Sequence, residues 1–406
     1  MGSDDRSDPV HTRRRVLSIM GAGAAVASAS FPALTKGATS EVGRPDGEGA
    51  TVMAETNELS GGLPAEREFF LAKCPEQAEF RDASNVWIED ERGRFGMRIG
   101  VERNSSRWDL PEIYLDIAFP DGKVMSLRSD EKAHPGADGE LGATVLGGGP
   151  LSFQVISPFD KWKVRFDGKA AEITASELIE TPYPEEKVIR PVFFEIDMMM
   201  AVPPWIAGEM LPDADQAAFK EDAAGFISPR YEQLFRCEGR LKIGEEETTF
   251  KGQGLRIRRQ GLRAFADFPG HVWQSCLFPS GKAFGLNTFG TYDQQPSYAE
   301  GFYYDGKGKL KPARLVEVPW LKELLESGDD VRLRLETEDG EISIEGTTYI
   351  NCRSRYPAAL PPGFPADYPV IQQSHADYRL EDEEATGMIE RSTPPSKLTN
   401  YRDWQD

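Results

Sequence analysis

The sequence predicts an all-β fold, organised as two consecutive antiparallel β-domains with a few short connecting helices. Three observations predict it. Short alternating apolar runs recur in pairs around Gly-containing turns, helical patterns are few and short, and 406 residues exceed the size of one ordinary domain. Consecutive hairpins of this kind close into meander sheets or barrels. The 22 Phe, 12 Tyr and 7 Trp supply the large apolar side chains that a buried core needs.

The paired runs extend along most of the chain. In residues 331–335 the alternation is plain, because valine and leucine alternate with arginine and one face of the strand is apolar. The predicted hairpins span 86–101, 113–127, 162–173, 235–257, 272–289, 302–316 and 331–350, with turns at 91–93, 120–122, 167–168, 244, 279–281, 305–306 and 339–340.

Helical patterns and a proline-rich interruption indicate the domain limits. Short helices are predicted at 65–71, 213–224 and 320–327, as connectors or lids. Prolines are concentrated between 203 and 229, where the hairpin pattern stops. We therefore expect a β-domain at 63–205, a linker with a short helix at 206–227, a second β-domain at 228–392 and a tail at 393–406.

The N-terminus has the features of an export signal. Thr-Arg-Arg-Arg-Val-Leu-Ser at 12–18 opens a weakly apolar run of small residues that ends at Ala27-Ser28-Ala29, similar to a twin-arginine (Tat) signal with its cleavage site. We expect 1–29 to be the signal, 30–62 a flexible leader, the Tat machinery a partner, and the mature protein periplasmic or secreted. A basic unstructured tail is the alternative. No later stretch is apolar enough for stable membrane insertion.

The charge of the chain limits its partners. The formal net charge is −20 at pH 7. A negative field repels phosphate backbones and anionic lipid surfaces, while neutral or apolar ligands approach freely. We therefore expect no nucleic acid partner and a small apolar ligand, although an acidic surface that only keeps the protein soluble also explains the charge.

Metal and cofactor chemistry is not expected. The four cysteines lack C-x-x-C spacing, which argues against zinc ribbons and thioredoxin-like sites. Buried free thiols are the expected state, and a disulfide is the alternative. The histidines that remain after the signal are His134, His271 and His375, and none has a partner at metal-ligand spacing.

The candidate catalytic residues are His271, Tyr298 and Glu300. His271 lies two residues before Trp273 on a predicted strand, so both side chains share a face and enter one barrel interior in this interpretation. His271 is then the best general acid or base, and a hydrogen-bonded core or surface imidazole is the alternative. Tyr298 and Glu300 share a face in the same way, although loop polarity explains them equally well.

A cluster of arginines supplies candidates for ligand binding. Arg256 and Arg258, with Arg259 and Arg263, form the densest basic stretch of this acidic chain. Ion pairing with Asp197 or Glu195 inside the fold is the favoured interpretation, and binding of an anion or of a ligand carboxylate is the alternative.

An apolar cluster around residues 198–210 adds further candidates. Met199 and Trp205 belong to it, and flexible Met side chains suit a greasy ligand. Ordinary filling of a core explains the same residues.

Several stretches resemble a known superfamily. Tyr-Glu-Gln-Leu-Phe-Arg-Cys-Glu-Gly at 231–239, followed by a hairpin and Gly-Gln-Gly-Leu-Arg at 252–256, resembles bacterial relatives of carotenoid 1,2-hydratase (hydroxyneurosporene synthase). Gly-His-Val-Trp at 270–273, the hairpin at 278–284, Thr-Gly-Met-Ile-Glu at 386–390 and, more loosely, 191–197 support the resemblance. It covers most of 63–392 and implies two consecutive lipocalin-like β-barrels. Tyr231, which opens the first stretch, joins the ligand-binding candidates.

The central signature of that superfamily is only partly retained. Arg-Asp-His-x-Trp-Gly-x-Arg corresponds to 256–263, where both outer arginines and the glycine remain, but Ile257, Arg258 and Gln260 replace the acid, the imidazole and the indole. Arginine does not donate its proton near neutral pH. The resemblance therefore implies binding of a terpenoid, steroid or carotenoid-like molecule. It leaves open metal-free hydration or isomerisation, a non-catalytic carrier, and a structural module that presents its sheets to a protein.

Overall fold

The structure is a computed structural model that describes residues 58–134, 138–139, 142–180, 188–211, 229–263, 268–353 and 364–401. The predicted signal at 1–29, most of the predicted leader, the predicted helix at 213–224 and the last residues of the tail lie outside these ranges. No helix in the part of the chain that the structure describes has the length and apolar character to cross a membrane.

The first half of the described chain consists mainly of strands. They are β1 (Phe80–Asp90), β2 (Gly96–Asn104), β3 (Glu112–Ala118), β4 (Lys123–Asp130), β5 (Asp138–Gly139), β6 (Gly142–Ala143), β7 (Val145–Gly148), β8 (Leu151–Ser157), β9 (Lys161–Thr174), β10 (Val188–Met200) and β11 (Trp205–Ile206). Helix α1 (Ala175–Glu180) follows β9, and single 3-10 turns lie at Glu58–Ser60, Ala65–Glu68 and Ser105–Arg107. Buried and less buried residues alternate along β10, as expected for a strand with one face in a core.

The second half continues as antiparallel strands. They are β12 (Arg230–Ile243), β13 (Glu246–Leu262), β14 (His271–Leu277), β15 (Lys282–Phe289), β16 (Tyr298–Asp305), β17 (Lys311–Glu317), β18 (Leu333–Thr337), β19 (Gly340–Arg353), β20 (Val370–Leu380) and β21 (Glu383–Thr393). A 3-10 turn at Pro395–Lys397 follows the last strand.

Eight strands close into a first barrel. Strands β1, β2, β3, β4, β9, β10, β12 and β13 pair antiparallel in that order, and β13 returns to pair with β1. Strand β9 makes the closure possible, because its last four residues pair with β4 while most of its length pairs with β10. Strands β7 and β8 extend the sheet beside β9. The ring follows chain order, which is the topology of an up-and-down barrel.

Strands β14 to β21 form a second closed barrel, also in chain order, with β14 pairing with β21. Together the two rings confirm the predicted all-β fold of consecutive lipocalin-like barrels. The predicted domain limits stay a prediction. By strand pairing, β12 and β13 complete the first barrel, although they follow the predicted linker.

Both barrel interiors are occupied by apolar side chains. In the first barrel, side chains from all eight strands contact one another in a single core that includes Val86, Trp162 and Phe194. In the second, a separate cluster includes Val272 and Leu333. These side chains fill the space in which the sequence led us to expect a ligand.

The hairpin predictions are confirmed, with one exception. Residues 167–168 are not a turn, because β9 runs unbroken through them. A Cβ on Gly168 would lie 2.8 Å from Cβ of Pro150, so this glycine allows a close approach of another segment instead of a reversal.

Two helix predictions are wrong in the described chain. At 65–71 there is only the 3-10 turn Ala65–Glu68, and 320–327 is not helical. Asn400 explains the second case, because its side-chain amide accepts from the N–H of Leu324 and donates to its carbonyl at 2.9 and 2.8 Å. These bonds satisfy backbone groups that a helix would otherwise use.

The expectation of free thiols agrees with the structure. Cys237, Cys276 and Cys352 are buried and free, and Cys74 is free but exposed.

Candidate functional site

The outer faces of the two barrels meet in an aromatic and apolar cluster, which we call the junction. The first barrel contributes Trp87, Leu234, Leu255 and Ile257, and the second contributes Trp273, Phe289, Tyr298, Phe302 and Met388. The rings of Trp87 and Trp273 meet edge to face with centroids 6.2 Å apart. All of these side chains are buried.

Strand register explains why the junction is made from outer faces. On β14 it is Val272 and Cys276 that belong to the interior cluster of the second barrel. Alternate residues point to opposite faces, so His271 and Trp273 point outward, toward the first barrel. The expectation that His271 and Trp273 enter a barrel interior is therefore wrong, although the expectation that they share a face is confirmed.

His271 is held in a chain of polar side chains. It lies opposite Ser392 in the β14–β21 register. Its Nδ1 is 2.5 Å from the Ser392 hydroxyl, and its Nε2 is 3.1 Å from Oε1 of Glu390. Gln373 donates to the other oxygen of Glu390 at 2.7 Å. Both ring nitrogens of His271 are thus engaged.

Glu390 is the charged member of this chain. Burial alone would raise the pKa of its carboxyl, but the hydrogen bond and charge of His271, the charge of Arg98 and the bond from Gln373 outweigh burial and lower the pKa to about 2. Glu390 is therefore ionised at neutral pH.

Glu300 lies at the base of the junction on β16 and is fully buried. Its carboxylate accepts five hydrogen bonds, from the Trp205 indole, the Tyr298 hydroxyl and the backbone N–H groups of Gly208, Met210 and Leu211, at 2.7 to 3.0 Å. This carboxylate ties the segment after β11 to the second barrel. Burial, and then the charge of Glu300, raise the pKa of Tyr298, so its hydroxyl stays protonated.

Trp273 links the barrels through its indole. Its Nε1 donates to Glu232 of β12 at 2.8 Å, and the guanidinium of Arg230 lies 5.4 Å from the centre of its ring. Arg230 and Glu232 approach within 2.6 Å but not in hydrogen-bonding geometry. We treat their contact as an ion pair without a well-aligned hydrogen bond.

Arg256 and Tyr231 point into the first barrel, away from the junction. Both contact Glu68, a fully buried residue of the N-terminal 3-10 turn. Nη2 of Arg256 lies 2.6 Å from Oε1 of Glu68, and the Tyr231 hydroxyl donates to the same oxygen. The other oxygen accepts from the Trp162 indole and the Phe159 N–H at 2.7 and 3.0 Å.

Arg258 is buried in the same barrel and pairs with Asp82 at 2.6 Å. The favoured expectation of ion pairing for the arginines is thus confirmed, but with other partners. Asp197 and Glu195 lie on the outside of β10, where Lys163 approaches each of them.

The remaining ligand-binding candidates, Trp205 and Met199, lie in different parts of the structure. Trp205 is buried at the junction, where its ring contacts Phe302 with centroids 5.4 Å apart. Met199 is 37% exposed on the outer side of β10 and does not belong to the junction. Of the nine candidates, the structure brings His271, Trp273, Tyr298, Glu300 and Trp205 together. Their catalytic and binding roles stay predictions.

Sequence reasoning missed several residues of the site. Arg230 and Glu390 carry charge at the junction and were not among the candidates. Arg259 belongs to the basic stretch that the sequence singles out, but the sequence does not place it at the junction. Strand alternation is a signal for Arg230, because Arg230 has to share a face with Glu232.

Several unpartnered polar atoms lie at the junction, and others lie elsewhere, such as Arg256 Nη1 in the first barrel and Gln274 Oε1 in the second. Arg230 Nε, Arg259 Nε and Nη1, Asn85 Oδ1 and Asn287 Oδ1 are buried and make no hydrogen bond within the described protein. Register places Asn287 opposite Trp273, and Asn85 in the row next to Arg259. In folded proteins, buried polar atoms of this kind are commonly satisfied by water or by a ligand.

The structure also contains surface grooves and a small internal space. Two open grooves of about 690 and 760 Å³ are lined mainly by charged and polar residues, including Glu91 and Arg92. A closed space of about 10 Å³ between Trp87, Ser275 and Met388 has room for one water, which suits the unpartnered hydroxyl of Ser275. Among the residues that the structure describes, no group of three or more His, Cys, Asp or Glu side chains is arranged to hold a metal ion.

A family model described as "Domain of unknown function (DUF7064)" matches residues 82–395. The chain belongs to the DUF7064 family. The DUF7064 match extends over both barrels and the junction. No curated protein matches the sequence significantly.

Solved structures similar to this DUF7064 protein share little sequence with it. One is assigned as an AttH from Nitrosomonas europaea, with 14% identity, coverage of 79% of this chain and 97% of that chain, and a TM-score of 0.49. Another is CghA, with 12% identity, 80% and 94% coverage and a TM-score of 0.48. CghA with Sch210972 has 12% identity, 80% and 97% coverage and a TM-score of 0.48.

Proposed function

We propose that this DUF7064 protein binds a small apolar molecule at the junction, not inside either barrel. The observation that carries the proposal is the group of buried, unpartnered polar atoms beside aromatic rings from both barrels. Ligand sites typically combine an apolar wall with a few convergent polar groups. A terpenoid, steroid or carotenoid-like molecule suits such a wall in chemistry. Its binding would require the packed faces to separate, because the space between Trp87, Ser275 and Met388 is about 10 Å³.

We propose a binding protein before an enzyme. His271 has both ring nitrogens engaged, and the Glu300 carboxylate is saturated by five donors. Neither group is free to exchange a proton with a ligand directly. This arrangement favours the non-catalytic carrier among the functions that the sequence suggests.

Acid–base chemistry is the second candidate, favoured by the hydrogen-bonded chain Ser392–His271–Glu390. An ionised Glu390 would hold the His271 ring with Nδ1 directed at the Ser392 hydroxyl, so proton transfer to an alkene would pass through that hydroxyl. Turnover of a bound terpenoid that is lost in His271→Gln, with binding retained, would establish this candidate. A hydratase activity like that of carotenoid 1,2-hydratase would be an example of this second candidate function.

We also propose export by the Tat machinery and function in the periplasm or outside the cell. The support is the arginine-rich start of the chain and its small-residue end at 27–29. Changing the arginine pair Arg13 and Arg14 to lysine should retain the precursor in the cytoplasm, as shown by cell fractionation.

Native mass spectrometry with a terpenoid, steroid and fatty-acid panel tests the binding proposal. We expect one molecule of at least one panel member per chain, and at least a tenfold loss of affinity in Trp273→Leu, because the ligand loses an aromatic wall. Trp162→Leu is the matched control. It removes an equally buried indole from the interior of the first barrel and should leave affinity unchanged in the folded fraction.

Binding weakened by Trp162→Leu and not by Trp273→Leu would place the ligand in the first barrel and refute the junction as its site. Failure to bind any panel member would refute the proposal as a whole.

A further inference from the structure

The junction holds two buried guanidinium groups side by side. Arg230 and Arg259 occupy directly opposed positions in the β12–β13 register, so their side chains leave the sheet on the same face. Their side chains are 4% and 2% exposed. Like charges directly opposed across a sheet destabilise it, and burial increases the effect.

The carboxylates nearby compensate these two charges unequally. Nη2 of Arg230 lies 2.6 Å from Oε1 of Glu232 and forms an ion pair with it, while Nε of Arg230 is left without a hydrogen bond. Arg259 reaches Glu102 only at 3.5 Å, and its Nε and Nη1 lack hydrogen bonds. Glu102 also approaches Arg81 and Arg263, so its charge is divided among several guanidinium groups.

Burial and neighbouring charge act together on Arg259. Burial lowers the pKa of its guanidinium well below the usual range, and the charges of Arg263 and Arg230 lower it further. A buried guanidinium whose charge is disfavoured in this way, and whose N–H donors lack acceptors, is a site for an anion.

The side chains around the two arginines indicate which class of anion they would bind. The centre of the Trp273 ring lies 5.4 Å from the guanidinium of Arg230, and Tyr298 belongs to the same apolar cluster as Trp273. A free phosphate gains nothing from contact with aromatic rings. An amphiphile with an apolar body and one carboxylate fits both the aromatic rings and the guanidinium groups. The planar fork of arginine matches a carboxylate in particular.

We propose that Arg230 and Arg259 receive the carboxylate of a ligand whose apolar body occupies the aromatic part of the junction. The inference rests on the proposed function and adds a charge requirement to it. The ligand class is thus a monocarboxylic terpenoid, steroid or fatty acid, not its alcohol or ester.

Matched acid and methyl-ester pairs test the charge requirement. The probes are retinoic acid, palmitic acid and cholic acid, each beside its methyl ester, titrated against the full chain by native mass spectrometry. We expect at least one acid to bind about 10- to 100-fold more tightly than its ester. In Arg259→Met this preference should fall below about threefold, with ester affinity unchanged.

Two further variants keep the test independent of folding. Arg230→Met should lose the same preference. Arg240→Met, which removes the same charge from an exposed site on the same strand as Arg230, should retain it. Without ligand, Arg259→Met should melt no lower than the wild type, because it removes a poorly compensated buried charge.

The outcomes separate the two proposals. Equal binding of acids and esters would overturn the carboxylate inference and leave the junction as a binding site. An acid preference that survives in both arginine variants would place the carboxylate elsewhere and overturn the inference too. Binding of neither member of any pair would overturn the proposed function along with it.

Discussion

Buried carboxylates are the residues that organise this molecule. Glu68, Glu300 and Glu390 lie far apart in sequence, and each accepts several hydrogen bonds in a region from which water is largely removed. A buried carboxylate that lacks donors is very costly, so these side chains fix the positions of the groups that satisfy them. In this protein they position the N-terminal turn, the segment after β11 and the His271 ring.

The pair Glu68–Arg256 allows a direct test of burial. Glu68→Gln leaves the Arg256 guanidinium buried without a counter-charge, so we expect the free energy of unfolding to fall by about 3 kcal/mol or more. Glu112→Gln is the control, because Glu112 and Arg128 are also 2.6 Å apart but partly exposed. That change should stay within about 1 kcal/mol in urea unfolding. Equal losses in both variants would contradict this account of Glu68.

Glu390 should make stability depend on pH. Its carboxyl has a pKa lowered to about 2 from a usual 4.5, so its stabilising effect is complete above about pH 4.5 and is lost as pH falls toward 2. The difference in unfolding free energy between the wild type and Glu390→Gln should therefore shrink by about 3 kcal/mol over that interval. Urea unfolding at pH 6, 4.5, 3 and 2 measures it. A difference that stays constant with pH would show that the His271 partner does not stabilise the ionised form.

At the scale of elements, local patterns predict most strands, and tertiary contacts decide the exceptions. Alternation and Gly-containing turns are local, so the sequence predicts hairpins such as β14–β15 correctly. The error at Gly168 arose because a glycine in a strand and a glycine in a turn look alike without knowledge of Pro150. The missing helix at 320–327 depends on Asn400, which lies too far along the chain for a local pattern to include.

The segment between β11 and Leu211 depends on one side chain. In Glu300→Gln the backbone N–H groups of Gly208, Met210 and Leu211 lose a charged acceptor, so their amide hydrogens should exchange at least about tenfold faster. Hydrogen exchange with mass spectrometry resolves this peptide. Glu317→Gln, at an exposed ion pair on β17, should leave it unchanged. Unaltered protection in Glu300→Gln would mean that other contacts hold the segment.

At the scale of the whole molecule, the sequence predicts two barrels but not how their faces are used. It indicates that His271 shares a face with Trp273 and that Tyr298 shares one with Glu300, and both statements hold. It does not indicate which face is inside, because apolar aromatic residues line the junction as well as the interiors. The sequence identifies the basic stretch that contains Arg259 but not its partner, since Arg259 meets Glu102 only through the pairing of β13, β1 and β2.

Photoaffinity labelling tests most directly whether the junction binds the ligand. The full chain is irradiated with a diazirine derivative of the panel member that binds it most tightly, with and without an excess of that compound, and the labelled peptides are mapped. The account predicts label that the parent compound displaces, on peptides that contain Trp87, Trp273 or Tyr298. Displaceable label confined to interior residues such as Phe153 or Leu286, or no displaceable label, would contradict it.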